Sequence, residues 1–337
     1  MKTRHYTIPV FVPELACPNR CVFCNQQKIS GTLCQPSDKE IIEIIEERIS
    51  TIPAGSYVEI GFFGGNFSGI PFAEQEHLLR LAQPYLQRKL VSAIRISTRP
   101  DYIDAKRLDL LKHYGVRTIE LGAQSLDEEV LKLSGRGHMV EDVRNASRMI
   151  LENGFSLGLQ MMIGLPGDTP EKSLQTAREI VQLGATSTRI YPTLVIKDTE
   201  LESLFLAGKY TPLSIDDAVR WAKEIVLAFE ASGVNIIRLG LHPSEGLLHG
   251  ENLVAGPFHV SFGELVMSAL WNETLKSLLK INLPERSNVV ISINPRQINN
   301  AIGHGAQNKI MLQQKFNIVK FITDPLLEGR NFHVNYC

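Results

Sequence analysis

The sequence lacks any apolar run that approaches 18 residues, so no membrane-spanning helix is expected. Its start, MKTRHYTIPVFVPELACP, is too short and too interrupted by proline to be a secretory signal. The formal net charge is only −1, so no overall field attracts nucleic acid and any such binding must use a local patch. With 44% hydrophobic and 21% charged residues, we expect a soluble globular protein that resides in the cytoplasm and has no membrane partner.

Cysteine is scarce and odd in number, with five among 337 residues. Without an export signal, this usage indicates a reducing compartment and a metal or redox role. Cys17, Cys21 and Cys24 form the run CPNRCVFC, with the spacing C-x3-C-x2-C. Three thiolates can hold an iron–sulfur cluster and leave one iron open, because a four-iron cluster normally takes four cysteines. The alternative is a structural zinc site completed by Cys34, but only one C-x2-C pair is present and the spacing favours the cluster.

Short apolar strands alternate with amphipathic helices up to about residue 240. This pattern is typical of a parallel sheet covered by helices, and both an open doubly wound sheet and a barrel fit it. From residue 241 the sequence becomes rich in glycine and histidine and loses clear periodicity. We therefore predict two domains, residues 1–240 and a small α+β domain of residues 241–337.

Polar and glycine-rich segments follow nearly every predicted strand. The cysteine run follows IPVFV, GGNF follows IGFF, TRPD follows IRIS, GAQS follows IEL, GLPGD follows QMMI and YPT follows TRI. In both candidate folds the chemistry lies at the carboxyl ends of the strands. The sequence therefore predicts one site on one face of the sheet.

Together with the cysteines, these motifs resemble the radical S-adenosylmethionine superfamily, in particular the branch of the elongator catalytic subunit and the oxygen-independent coproporphyrinogen oxidases. The resemblance covers roughly residues 8–232. The chain departs from the elongator subunit in two ways. Its cysteine spacing is more compact, and no acetyl-coenzyme A loop is recognisable in the remaining hundred or so residues. Acetyl transfer is therefore not expected. The motifs that carry it are GFFGGNFSGIP, ISTRPDYID, IELGAQSLDEEVLKLSGRGH, LQMMIGLPGDT and TRIYPTLVIKDTELESLFLAGKY.

The resemblance implies a partial (β/α)6 barrel of the TIM type that holds a [4Fe–4S] cluster. Cys17, Cys21 and Cys24 would bind three irons, and S-adenosylmethionine would chelate the fourth. One electron, from a flavodoxin- or ferredoxin-type donor, would then split the sulfonium and yield a 5′-deoxyadenosyl radical. The cofactor supplies the difficult chemistry, and the protein orients it.

Ten further residues are candidates for the site. Gly64 and Gly65 would let the backbone approach the methionyl group, and Arg99 would hold its carboxylate in a bidentate fork. Arg189 and Tyr191 lie two apart on the last strand and so share one face; we expect them at the substrate. His138 is expected to have no ligand role. The residues expected at the cofactor are Gly64, Gly65, Asn66, Ser97, Arg99, Gln124, Arg136 and Gln160.

The substrate is expected to be RNA, with tRNA the first candidate, because of the kinship to the elongator branch and a modestly basic tail. A second possibility is a radical enzyme acting on a porphyrin-like molecule or another metabolite. The non-enzymatic alternative is a zinc-stabilised RNA-binding protein.

Overall fold

Seven parallel strands form a curved sheet, a half-barrel, that contains most of the chain. The computed structural model describes residues 4–12, 21–25, 28, 35–241, 245–281 and 287–336. Along the sheet the strands follow chain order, so that each new strand adds to the same edge. The strands are β1 (His5–Phe11), β2 (Tyr57–Phe63), β3 (Ala93–Thr98), β4 (Val116–Gln124), β5 (Ser156–Ile163), β6 (Ser187–Pro192) and, after a short strand β7 (Val195–Ile196), β8 (Asn235–Leu239).

Helices connect the strands and cover the convex face. Several begin where the sequence supplies a capping side chain: Ser37 and Glu40 form a capping box at α1, and Thr169 and Ser214 cap α6 and α8. These side chains satisfy amide groups that lack an intrahelical partner in the first turn. The helices are α1 (Asp38–Thr51), α2 (Phe72–Gln87), α3 (Ala105–His113), α4 (Glu128–Leu133), α5 (Val140–Glu152), α6 (Pro170–Gln182), α7 (Glu200–Leu206) and α8 (Ile215–Ala231).

Side chains alternate along each strand between the helices and the inside of the half-barrel. On β2, Ile60 and Phe62 are buried in the main core, and Ile119 and Leu121 occupy the same core from β4. The residues between them point inward and are polar, small or aromatic. This alternation confirms the predicted partial barrel, with a seventh parallel strand present in the sheet.

The rest of the chain adds helices α9 (Glu245–Leu248) and α10 (Phe262–Lys276) and strand β9 (Leu253–Ala255), which pairs with β7. Phe262, Val266 and Leu270 of α10 belong to the core of the barrel. The predicted division after residue 240 stays a prediction, and these contacts show that the first part of α10 packs as one body with the barrel.

A small three-stranded sheet closes the described chain. Its central strand β10 (Val289–Ile293) lies parallel to β11 (Val319–Thr323) and antiparallel to β12 (Phe332–Tyr336), which the sequence did not predict. Helices α11 (Ile298–Ile302) and α12 (Gln307–Gln313) complete this α+β unit, which has its own hydrophobic core. No helix in the described ranges is both long and apolar enough to cross a membrane.

Candidate active site

A cavity of about 1490 Å³ lies inside the half-barrel and reaches the carboxyl ends of its strands. It exceeds the roughly 300–1,000 Å³ of an ordinary small-molecule site, so it has room for more than one small ligand. Most of the residues that the sequence predicts at one site line this cavity and so lie together. Those that line the cavity are Cys21, Cys24, Gly64, Gly65, Ser97, Gln124, Arg136, Gln160, Arg189 and Tyr191.

Cys21 and Cys24 are close neighbours in one turn on the cavity wall. The Cys24 amide donates to the Cys21 carbonyl at 3.0 Å, and neither cysteine is in a disulfide. The turn is held from both sides, because the Val22 amide donates to the Ser134 carbonyl at 3.0 Å and the Leu201 amide donates to the Val22 carbonyl at 2.7 Å. Cys17 lies outside the described residues, so its ligand role stays a prediction.

Arg136 brings a positive charge to this turn. Its Nη1 donates to the Cys21 Sγ at 3.4 Å and its Nη2 donates to the Gly122 carbonyl at 2.7 Å. The side chain is 7% exposed, and its Nε has no hydrogen-bond partner within the described part of the chain. A Cβ at residue 122 would lie 2.8 Å from Nη2, so glycine is needed there for the guanidinium to fit.

Gly64 forms a backbone cradle at the end of β2. Its φ of +112° is unfavourable for residues with a side chain, and a Cβ there would lie 2.2 Å from the Val12 carbonyl oxygen. Gly65 follows with a φ of +56°. The cavity wall at these two residues is therefore bare backbone, which a ligand can approach closely.

The structure does not bring Asn66 and Arg99 to the cavity. The Asn66 Oδ1 accepts hydrogen bonds from the Thr98 hydroxyl at 2.7 Å and from the Arg99 amide at 3.3 Å, which joins the ends of β2 and β3. Arg99 is fully buried, and its Nε and Nη2 each donate to Asp101 at 2.9 Å. The bidentate fork expected for a ligand carboxylate is thus formed with a carboxylate of the protein itself.

Two amide side chains meet in the cavity. The Gln160 Nε2 donates to the Gln124 Oε1 at 3.2 Å. Gln124 has a φ of +66° and follows an irregularity in the pairing of β4 with β5, which turns its side chain into the barrel. The remaining donor and acceptor positions of this pair are suited to a neutral polar ligand.

A chain of charges forms the floor of the cavity, where Glu120 and Arg189 line it and the buried Arg95 and Glu59 continue the chain. No motif in the sequence predicts it. Arg95 donates to Glu59 at 2.8 Å and to Glu120 at 2.5 Å, and Glu120 also accepts from Arg189 at 2.6 Å. The signal was present, since each of these residues takes an inward position in its strand. Each charged residue is on a different strand, among mostly apolar residues, so no neighbour in the sequence indicates which charge it pairs with.

The floor charges balance one another. Burial alone would raise the pKa of Glu120, but the hydrogen bonds and charges of Arg189 and Arg95 outweigh it and lower that pKa. Burial likewise opposes the charge of Arg189, yet Glu120 raises its pKa. Arg189, expected at the substrate, does line the cavity but is bound to Glu120. Tyr191 also lines the cavity, two residues further along the same strand.

His138 is a buried neutral base behind this site. Burial and, to a smaller extent, the guanidiniums of Arg136 and Arg99 lower its pKa to about 3. The side chain does not line the cavity. That it has no ligand role stays a prediction.

Comparison with known proteins agrees with this geometry. Residues 14–180 match the profile of the Radical SAM superfamily, and residues 185–272 match that of the Radical_SAM C-terminal domain. A tRNA uridine(34) acetyltransferase of Dehalococcoides mccartyi is 25% identical over 61% of this chain and 52% of its own length. The heme chaperone HemW of Bacillus subtilis is 26% identical over 75% of this chain and 66% of its own length.

A solved structure shares the fold. The archaeal Methanocaldococcus infernus Elp3 with an N-terminal deletion superposes with a TM-score of 0.64 at 21% identity, over 81% of this chain and 64% of that one. The chain thus spans about half of the acetyltransferase and two thirds of the solved chain.

Proposed function

We propose that this chain, which belongs to the radical SAM superfamily of enzymes, cleaves S-adenosylmethionine reductively at a [4Fe–4S] cluster and uses the radical to modify RNA, with tRNA as the first candidate. The observation that carries the proposal is the meeting of cysteine thiols, bare backbone and paired amides in one cavity. The residues fit the two cofactors, because thiols are the ligands that iron–sulfur clusters take. At Gly64 a Cβ would lie 2.2 Å from the Val12 carbonyl oxygen, so this part of the cavity wall carries no side chain and a ligand would meet bare backbone there.

The roles of the residues follow from their positions. When bound, the reduced cluster supplies the electron that divides S-adenosylmethionine into methionine and a 5′-deoxyadenosyl radical. Cys17, Cys21 and Cys24 would hold three irons, and Gly64 and Gly65 would face the methionyl end of the cofactor. The charged floor and the packed turn around Phe23, which is 9% exposed, would keep water away from the radical.

The paired amides extend this arrangement. Gln124 and Gln160, with Ser97 nearby on the cavity wall, would bond the polar groups of the bound ligands. Asn66 would act on the site from a distance by joining the ends of β2 and β3. Arg99 would fix the loop after β3 through Asp101.

RNA as the substrate is supported by the relatives and by the charge of the cavity. One relative is named for a tRNA reaction, although this chain spans only part of it and acetyl transfer is not proposed. Arg189 is neutralised by Glu120, so the floor presents balanced charge. A neutral nucleobase suits such a floor. We further propose a cytoplasmic protein that receives its electron from a flavodoxin- or ferredoxin-type partner.

A second candidate is a small-molecule substrate of the porphyrin type. The similarity to the heme chaperone favours it, since that match covers three quarters of this chain. Against it, two arginines of the cavity already bond to protein groups, Arg136 to Gly122 and Arg189 to Glu120. Porphyrin carboxylates would need cations that are not engaged in this way. Two further arginines line the cavity without an ion pair to a described residue, Arg48 and Arg238.

The chemical test begins with anaerobic reconstitution. We expect about four irons and four sulfides per chain, and release of 5′-deoxyadenosine after addition of dithionite and S-adenosylmethionine. Cys21→Ala should abolish both, whereas Cys34→Ala should retain both, because the cluster does not need Cys34, which lies outside the described residues. One bound zinc that is lost in Cys34→Ala would instead support the zinc-stabilised RNA-binding protein.

The substrate test compares the modified nucleosides of total tRNA from a deletion strain and its parent. A nucleoside that is absent from the deletion strain and restored by the wild-type gene, but not by the Cys21→Ala gene, supports the RNA proposal. Unchanged nucleosides, together with no binding of tRNA at low salt, would refute the RNA substrate and leave the radical chemistry standing.

A further inference from the structure

The segment Ser134–His138 holds the turn of Cys21 through two separate contacts. The first is between backbone groups, from the Val22 amide to the Ser134 carbonyl. The second is between side chains, from the Arg136 Nη1 to the Cys21 Sγ at 3.4 Å. The second contact places an ionised hydrogen-bond donor directly on a thiol predicted to bind iron.

The position of Arg136 is set by its surroundings. Gly135 and Gly137 on either side have φ values of +59° and +77°, so the backbone bends sharply both before and after it. The Gly122 carbonyl accepts from Nη2 at 2.7 Å and orients the plane of the guanidinium. Since a Cβ at Gly122 would meet Nη2 at 2.8 Å, the space for this contact depends on the glycine.

The other basic groups nearby do not offer Cys21 a comparable charge. Arg99 forms a bidentate pair with Asp101. Burial keeps His138 neutral by lowering its pKa to about 3. Arg136 is therefore the guanidinium that acts on the Cys21 sulfur in the described part of the chain.

We propose that Arg136 donates a hydrogen bond to the cluster-ligating thiolate of Cys21 and thereby raises the reduction potential of the cluster. The inference rests on the proposed function, because it assumes that Cys21 binds the cluster. Hydrogen bonds to cluster sulfurs and nearby charge are main determinants of cluster potentials. A positive donor stabilises the reduced cluster, which carries one more negative charge, more than the oxidised one. Arg136 is a positioning and tuning residue here, and its effect is on the ease of electron entry.

The test is an anaerobic redox titration of the reconstituted full-length protein, followed by electron paramagnetic resonance of the reduced cluster. Arg136→Gln removes the charge, and we expect a more negative midpoint potential at unchanged iron and sulfide content. Arg136→Lys keeps the charge but loses the fork, so its midpoint should lie between those of wild type and Arg136→Gln. Arg144→Gln, at a half-exposed arginine of α5, is the matched control and should not shift the potential.

Gly122→Ala gives an independent measurement in case Arg136→Gln binds no cluster. The added methyl group would meet the Arg136 Nη2 at 2.8 Å and the Gln124 Nε2 at 3.0 Å. It displaces the guanidinium without changing the charge of the chain, and since Gln124 is uncharged, the midpoint should again become more negative. A spectroscopic readout accompanies both variants: with 15N-labelled arginine, the reduced wild-type cluster should show a nitrogen coupling that Gly122→Ala and Arg136→Gln lose.

The outcomes separate the two proposals. Wild-type protein that binds no iron–sulfur cluster refutes the proposed function. Wild-type protein that binds the cluster, with midpoints in Arg136→Gln and Gly122→Ala equal to that of wild type, refutes the role of Arg136 and leaves the proposed function intact.

Discussion

Glu120 is the residue on which the charged floor depends, and its replacement gives a sharp prediction. It is 4% exposed and accepts hydrogen bonds from Arg95 at 2.5 Å and from Arg189 at 2.6 and 3.2 Å. Glu120→Gln keeps the shape of the side chain but removes its charge. Arg95 retains Glu59, whereas Arg189, whose side chain is 15% exposed at the cavity, is left as a largely desolvated cation without its carboxylate.

The expected loss is large. Removing one partner of a buried ion pair costs about 3–5 kcal/mol in the free energy of unfolding, because the remaining charge stays desolvated. With a urea slope of about 2–3 kcal/mol per molar, a loss of about 4 kcal/mol lowers the denaturation midpoint by roughly 1.5 M. Removing both charges, in Glu120→Gln with Arg189→Met, restores the balance and should cost much less than the sum of the two single changes.

The assay is urea denaturation followed by tryptophan fluorescence, with all variants in the same anaerobic buffer. Glu43→Gln is the matched control. The Glu43 carboxylate lies 3.6 Å from the Lys39 Nζ, both side chains are well exposed, and such surface ion pairs contribute little to the free energy of unfolding. We expect its midpoint to equal that of wild type. If Glu120→Gln were as mild as Glu43→Gln, the floor would not be a desolvated network and the reasoning would be wrong.

Two further predictions concern the groups around the site. The pKa of His138 is about 3 in the folded chain against 6.5 in the unfolded chain. Between about pH 6.5 and about pH 3 only the unfolded chain takes up the proton, which lowers the free energy of unfolding by about 2 kcal/mol at pH 5. His138→Gln should therefore make the urea midpoint depend less on pH between about pH 7 and pH 5, while His249→Gln, at an exposed histidine, should keep the wild-type dependence on pH. Gly64→Ala should lower the free energy of unfolding by about 3 kcal/mol, because it combines an unfavourable φ with a clash against Val12. Gly55→Ala, at a positive φ but with no atom within 4 Å of the added Cβ, should lower it by only about 1 kcal/mol in the same assay. Equal losses in the two variants would contradict the role of the clash.

Local patterns predicted the elements of the barrel well. The predicted strand IGFF, which precedes GGNF, lies in β2 (Tyr57–Phe63), and the predicted strand IEL, which precedes GAQS, lies in β4 (Val116–Gln124). Each is a short apolar run that ends in glycine or polar residues, so the information lies within the run itself. The same holds for the placement of Gly64 and Gln124 at strand ends.

The partners of the charged side chains were not predictable in this way. Arg99 fits a ligand carboxylate by residue type, but Asp101 two residues later takes that fork in the turn after β3. Arg189 is bound to Glu120, which lies 69 residues earlier. The second pairing depends on which inward positions face one another across the sheet, and that is fixed only when the strands are in register. The ligand role of Cys17 stays a prediction.

The charged floor also bears on the order in which the chain can fold. Glu59, Arg95 and Glu120 come from β2, β3 and β4, Glu59 also contacts His5 of β1, and Glu120 takes its second cation, Arg189, from β6. A nascent chain that has been synthesised only through β5 would have to close its sheet over Glu120 without Arg189. We therefore expect the half-barrel to form as one cooperative unit after β6 has left the ribosome, rather than strand by strand during synthesis.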